Sequence, residues 1–159
     1  MTPTSTDLRQ TIDAFVATFN EPEPDLDRMM SFFAEDARYL PGHGPELHGL
    51  PAIRAEFAPQ FAGRYGAMTF DVYDQVIDES RRRATIRWAC RLDLTGANGK
   101  RAMPPLRWYA RLRYSGRMQW HGLDVFHFNA AGQITGKFTY ATFRLPLWEV
   151  TPQRGSGSS

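Results

Sequence analysis

The chain has one cysteine, Cys90, so no internal disulfide can staple it. It has no apolar run long enough to span a bilayer, and no positively charged stretch followed by an apolar one near its start; a cytoplasmic protein without a membrane partner is the expectation. Charge of one sign is scarce as well. Nineteen Lys+Arg against 17 Asp+Glu leave a formal net charge of +2, and the arginines are scattered through predicted strands instead of gathering on one predicted helix. That balance argues against a nucleic-acid partner. The four histidines, His43, His48, His121 and His127, show no HxH or HxxxH spacing, so no metal signature is legible. Neither a Gly-rich phosphate loop after a strand nor a GxSxG elbow is present, which disfavours nucleotide and serine-hydrolase chemistry. No metal or organic cofactor is expected.

What is there suits one domain. At 159 residues and 18.1 kDa, with 42% hydrophobic residues, the chain can build a single core over 1–150, with 151–159 as a flexible tail. Residues 154–159, RGSGSS, have the composition of an appended linker. Leu8, Ile12, Phe15, Val16 and Phe19 recur at helical spacing and predict a helix over 6–20, capped by Thr6 or Asp7. Pro22 and Pro24 break it. Asp25 caps a second predicted helix running through Met29, Met30, Phe32 and Phe33 to Glu35-Asp36, and a short strand follows at 38–40. The 41–45 loop, PGHGP, leads to a third helix over 51–60 with proline in its first turn. Alternation predicts strands over 67–77 and 83–94, the second with Ile86, Trp88, Cys90 and Leu92 on one face.

The stretch 120–144, WHGLDVFHFNAAGQITGKFTYATFR, reads as two antiparallel strands reversing at Ala130-Ala131-Gly132. Period two puts Trp120, Gly122, Asp124, Phe126 and Phe128 on one face, and His121, Leu123, Val125 and His127 on the other. A carboxyl flanked by Trp and Phe is costly to ionise, so Asp124 stays protonated or needs a partner. Between the strands, 95–117 is longer than a hairpin connection. Its run LRWYARLRY alternates apolar with basic residues and predicts either a flap at a pocket mouth, with Trp108 aimed inward and the arginines in water, or a strand extension used in dimer contact.

Three segments carry a resemblance. Leu123 to Asn129 followed by Ala-Ala-Gly-Gln-Ile, the run Phe32 to Ala37 with Leu47-His48-Gly49 and Ala52-Ile53-Arg54, and Arg87 to Arg91 together resemble the SnoaL-like polyketide cyclase and ketosteroid isomerase superfamily, with the fold of nuclear transport factor 2. The resemblance implies an α+β fold: a cone-shaped barrel of a strongly curved, mostly antiparallel sheet wrapped on about three N-terminal helices. It implies a homodimer formed through the outward row of His121, Leu123, Val125 and His127 with Tyr140. It also places positions. The isomerases' oxyanion aspartate aligns with Asp124, but its partner tyrosine falls on Phe15, and the isomerase base falls on Leu40 or Pro41. Tyr39 keeps a tyrosine of the epoxide hydrolases, whose three charged catalytic positions fall on Trp88, Cys90 and Thr139. His48 sits in the family's His-Gly step and reads as structural. In the cyclases an aspartate at the Asp124 position acts as general acid and base.

The resemblance and the lone carboxyl together lead to the expectation of an enzyme that needs no cofactor and does acid-base chemistry on a hydrophobic aromatic or polycyclic molecule: aldol-type cyclisation, its retro-aldol or lyase reverse, or isomerisation. Asp124 is the expected proton shuttle, with Tyr39 and His43 as polarising donors or secondary base. Phe15, Trp88, Cys90, Trp108, Trp120, Phe126, Thr139 and Phe143 are the expected substrate-binding positions. One alternative is a module that binds a hydrophobic ligand or a protein partner without chemistry, its Asp124 merely satisfied by a donor such as Trp88. The other is epoxide hydrolysis with a replaced catalytic set.

Overall fold

In the computed structural model, which describes residues 7–100 and 102–142, Asp7 caps the first helix. Its Oδ1 accepts from the backbone N–H of Arg9 at 2.9 Å and of Gln10 at 3.3 Å, satisfying donors that a helix start leaves free. Helix α1 (Leu8–Asn20) buries Leu8, Ile12 and Phe15, as their spacing predicts. The Asn20 side chain clamps its end to the sheet, donating to the Phe70 carbonyl at 2.8 Å and accepting from the Phe70 N–H at 2.7 Å.

The second helix is shorter than its apolar spacing suggests. Helix α2 (Leu26–Ser31) stops before Phe33, and strand β1 (Phe33–Leu40) takes over. Ala37 and Tyr39 point into the core and Arg38 points out, so period two holds at the end of β1, while a register irregularity between Phe33 and Arg38 leaves Glu35 and Asp36 both exposed. The sheet supplies the reason for the strand. Ile134 N–H donates to the Phe32 carbonyl at 2.8 Å, and β1 pairs in parallel with β6 (Ile134–Ala141), aligning Tyr39 with Lys137. Helix α3 (Leu50–Phe61) starts after Gly49, whose φ of 81° suits glycine.

The remaining strands are β2 (Leu47–His48), β3 (Ala67–Asp78), β4 (Arg83–Asp93) and β5 (Arg117–Phe128). They form one six-stranded sheet in the order β2-β1-β6-β5-β4-β3, antiparallel except for the β1–β6 pair. The architecture is α+β as expected. Among the described residues the sheet is open, with β2 and β3 as its edges, so it does not close into a barrel. The reversal between β5 and β6 falls where expected: Asn129 Oδ1 accepts from Ala131 and Gln133 N–H, and Gly132 has a φ of 79°.

The 95–117 excursion is neither a strand nor an inward flap. It forms helix α4 (Pro104–Tyr114), with two prolines in its first turn and Ser115 at φ 55° ending it. Leu106, Tyr109 and Ala110 pack toward Leu92, Leu94 and Met118. Trp108 is 69% exposed and so points away from the core. Arg107, Arg111 and Arg113 are exposed on this helix, while Arg38, Arg83, Arg87, Arg91 and Arg117 lie on strands. The apolar-basic alternation also satisfies a helical pattern, and the prolines decide for helix. The excursion does return: Leu94 N–H donates to the Gly116 carbonyl at 2.8 Å, so β4 and β5 stay antiparallel.

Candidate active site

The helices and the inner sheet face enclose a cavity of about 210 Å³. Its wall is mostly apolar and includes Phe15, Phe19, Phe57, Phe70, Trp88 and Trp120. Polar side chains meet at its floor. Asp124, mid-strand on β5, is aligned with Thr139 on β6, and Lys137 lies two residues before Thr139 on the same face. Lys137 Nζ is 3.0 Å from Asp124 Oδ2 and donates to Thr139 Oγ1 at 2.7 Å, while the Thr139 hydroxyl donates to Asp124 Oδ1 at 2.7 Å. Both carboxylate oxygens are therefore engaged. The pair is nearly dry, with side chains 5% exposed at Lys137 and 7% at Asp124. Aromatic faces complete the cage: Lys137 Nζ stands 4.9 Å from the Tyr39 ring centre and 5.8 Å from that of Phe126.

Titration at the floor follows from this burial. Lys137 is lowered from its ordinary value because burial disfavours the ammonium, against the opposing pull of Asp124. The Tyr39 phenol is driven up by burial first and then by the Asp124 and Glu56 carboxylates, with a hydrogen bond to Thr139 working the other way. Tyr39 therefore remains a donor at any ordinary pH. Nearer the rim, His43 Nε2 lies 2.8 Å from Glu56 Oε1, and both line the cavity.

Of the positions expected from sequence, the cavity gathers Asp124, Tyr39, His43, Phe15, Trp88, Trp120 and Thr139. It does not take Trp108; Leu106 of α4 reaches the wall instead. Cys90 and Phe126 face the same way as the wall residues but are 0% exposed and sit behind the lining, with burial pushing the Cys90 thiol up. Phe143 lies outside the described residues. Trp88 is not the partner of Asp124: its Nε1 is buried without a hydrogen-bond partner among the described residues. Nor is Asp124 the one acid of the pocket, since Glu56 joins it.

Lys137 and Glu56 are the residues sequence reasoning missed. The signal for Lys137 was parity: with Thr139 facing the pocket, position 137 on the same strand must as well. Opposite Trp88 in the ladder stands Gly122, where a β-carbon would fall 2.2 Å from the indole Cζ2. Gly122→Ala is thus expected to push Trp88 off its shelf and cost roughly 1–3 kcal/mol of stability. Thermal denaturation checks this, and an unchanged midpoint would show the indole to be free to move.

The sequence profile of the SnoaL-like domain matches residues 12–137. No curated protein matches the chain in sequence. Among solved structures, SalBIII, an epoxide hydrolase/cyclase-like enzyme of pyran ring formation in the polyether salinomycin, is similar at 16% identity over 86% of this chain and 91% of its own, with a TM-score of 0.64. A putative polyketide cyclase from Xanthomonas campestris pv. campestris is similar at 22% identity over 84% of this chain and 88% of its own, TM-score 0.58. A Mycobacterium tuberculosis protein in complex with estradiol-17beta-hemisuccinate is similar at 14% identity over 86% of this chain and 98% of its own, TM-score 0.59. At these identities the structures establish the shared fold.

Proposed function

The chain belongs to the SnoaL-like domain family, and from that premise and the floor of its cavity we propose that it is an acid-base enzyme working through its own side chains on a hydrophobic aromatic or polycyclic substrate. The reaction class is aldol-type cyclisation, its retro-aldol or lyase reverse, or double-bond isomerisation. The carrying observation is the buried Asp124–Lys137 pair at the end of an apolar cavity. A carboxylate held there can accept a proton from a carbon or hydroxyl of a substrate whose own oxygen meets the Lys137 ammonium, the Thr139 hydroxyl or the Tyr39 phenol. Exclusion of water strengthens these interactions at the moment charge develops. His43, paired with Glu56, is the second group able to exchange protons, near the entrance.

The test is a panel with an aromatic β-hydroxyketone for retro-aldol cleavage and an unconjugated enone precursor for isomerisation, run on the wild type and on Asp124→Asn. Turnover that ignores the substitution would sink the reading. A second reading, a ligand-binding module without chemistry, is favoured by the saturation of both Asp124 oxygens by protein donors. It expects tight binding of a planar apolar ligand with no conversion. Epoxide opening would need Asp124 or Glu56 to replace the hydrolase charges absent at Trp88, Cys90 and Thr139.

We further place the protein in the cytoplasm as a homodimer. The sheet face away from the helices exposes Tyr73 at 50% and Tyr140 at 58%, beside the His121 to His127 row, and a second copy would cover them. Light scattering at micromolar concentration should give twice the chain mass; a monomer would refute the dimer.

A further inference from the structure

The chain uses lysine sparingly. Among its 19 basic residues only Lys100 and Lys137 are lysines, every other being arginine. Lys100 is exposed, whereas Lys137 is buried in the cavity floor. A structural cation there could as well be the arginine this chain uses elsewhere. What lysine alone offers is an amine that can lose its proton and form a carbon–nitrogen bond.

We propose that Lys137 is a nucleophile, and that the cavity takes carbonyl compounds, aldehydes or ketones with an apolar body, by forming an iminium with them. Resting on the acid-base reading of the same floor, this names its substrate class. Three features of the geometry support it. Nζ lies within 3.0 Å of a carboxylate that can take its proton. It sits against two aromatic rings in a site that disfavours separated charges. Thr139 joins Nζ to the other carboxylate oxygen through its hydroxyl, giving protons a second route between amine and acid. The depressed titration of Lys137 agrees, since the neutral amine is more accessible than in a solvated lysine.

The step balances without an outside reagent. The Lys137 ammonium gives a proton to Asp124, and the freed lone pair attacks the carbonyl carbon. The carbonyl π pair moves to oxygen, which takes up the second nitrogen proton through the Thr139 hydroxyl to give the carbinolamine. Asp124 then returns its proton to that hydroxyl, which leaves as water while the nitrogen lone pair closes the C=N⁺ bond. One ammonium and one carbonyl become one iminium and one water. The cationic nitrogen then draws the electron pair of a breaking C–C or α C–H bond to give an enamine, the released proton passing to Asp124, which returns it to carbon; water then adds to the iminium so formed and restores the amine. Asp124 is available to deprotonate the β-hydroxyl in a cleavage or the α-carbon in an isomerisation.

The test is reductive trapping on the unmodified full chain, using cinnamaldehyde and cyanoborohydride, with peptide mapping of the adducts. Lys137 should be alkylated saturably and faster than Lys100 by roughly tenfold or more. Labelling of Lys137 no faster than Lys100, or labelling confined to Lys100 and the α-amino group, overturns the proposal. Lys137→Arg supplies a second arm, because it keeps a cation beside Asp124 but cannot form the iminium. Loss of β-hydroxyketone turnover in a folded Lys137→Arg protein supports the nucleophile, and retained turnover overturns it while leaving acid-base catalysis standing. Trapping at Lys137 together with turnover indifferent to Asp124→Asn would instead sink the acid-base reading and keep the nucleophile.

Discussion

Asp124→Asn is expected to lower kcat on a responsive substrate by about 10² to 10⁴, the usual contribution of a positioned general acid or base, with little change in the ligand's affinity. The amide has the shape of the carboxyl; its oxygen can accept from Lys137 while its NH2 donates to the Thr139 hydroxyl oxygen, so the floor stays assembled. It cannot carry the proton. A second consequence concerns stability. Burial lowers Lys137 and Asp124 opposes that effect, so removing the carboxylate lowers Lys137 further. Lys137 then holds its proton less tightly in the folded variant than in the unfolded chain. Below the ordinary lysine value of 10.5 the unfolded state binds more protons, so the stability of Asp124→Asn falls as pH falls. Steady-state kinetics and denaturation at several pH values check both halves. Full turnover, or a stability loss that does not grow toward acid, would contradict the assignment.

Much of this site is legible in the sequence alone, and the reason is strand parity. Once 120–128 reads as a strand, Asp124 must share a face with Trp120 and Phe126, and one buried neighbour decides which face is inside. The same parity on β6 carries Thr139 and Lys137 inward together, but a lysine reads by default as a solvated edge, and its burial at 4% exposure runs against that default. Where two periodicities fit one stretch, local reading fails. Met29, Met30, Phe32 and Phe33 suit a helix, yet Phe33 is claimed by the open side of β6, a contact more than 100 residues away that no local window contains. In 106–114 the alternation suits a strand, and the two prolines at 104 and 105, which suit a turn, start a helix. Glu56 is invisible for a different reason: it matters only because the 41–45 loop folds back to bring His43 within 2.8 Å of it.

Lys137→Met should have the largest effect on stability. Methionine fills the space between the Tyr39 and Phe126 rings about as well as the lysine stem, so packing is not the main loss. What is lost is the partner of a buried carboxylate, and breaking such a pair from one side typically costs about 3–5 kcal/mol, which is what an uncompensated charge in a dry site demands. The combined Asp124→Asn, Lys137→Met protein leaves neither charge behind and should regain most of what the lysine substitution alone removes, a coupling readable in a double-mutant cycle. Chemical denaturation of the four proteins decides it. Additive losses in the double would mean that the 3.0 Å contact is not an ion pair and that the proton transfers proposed for this floor have no basis.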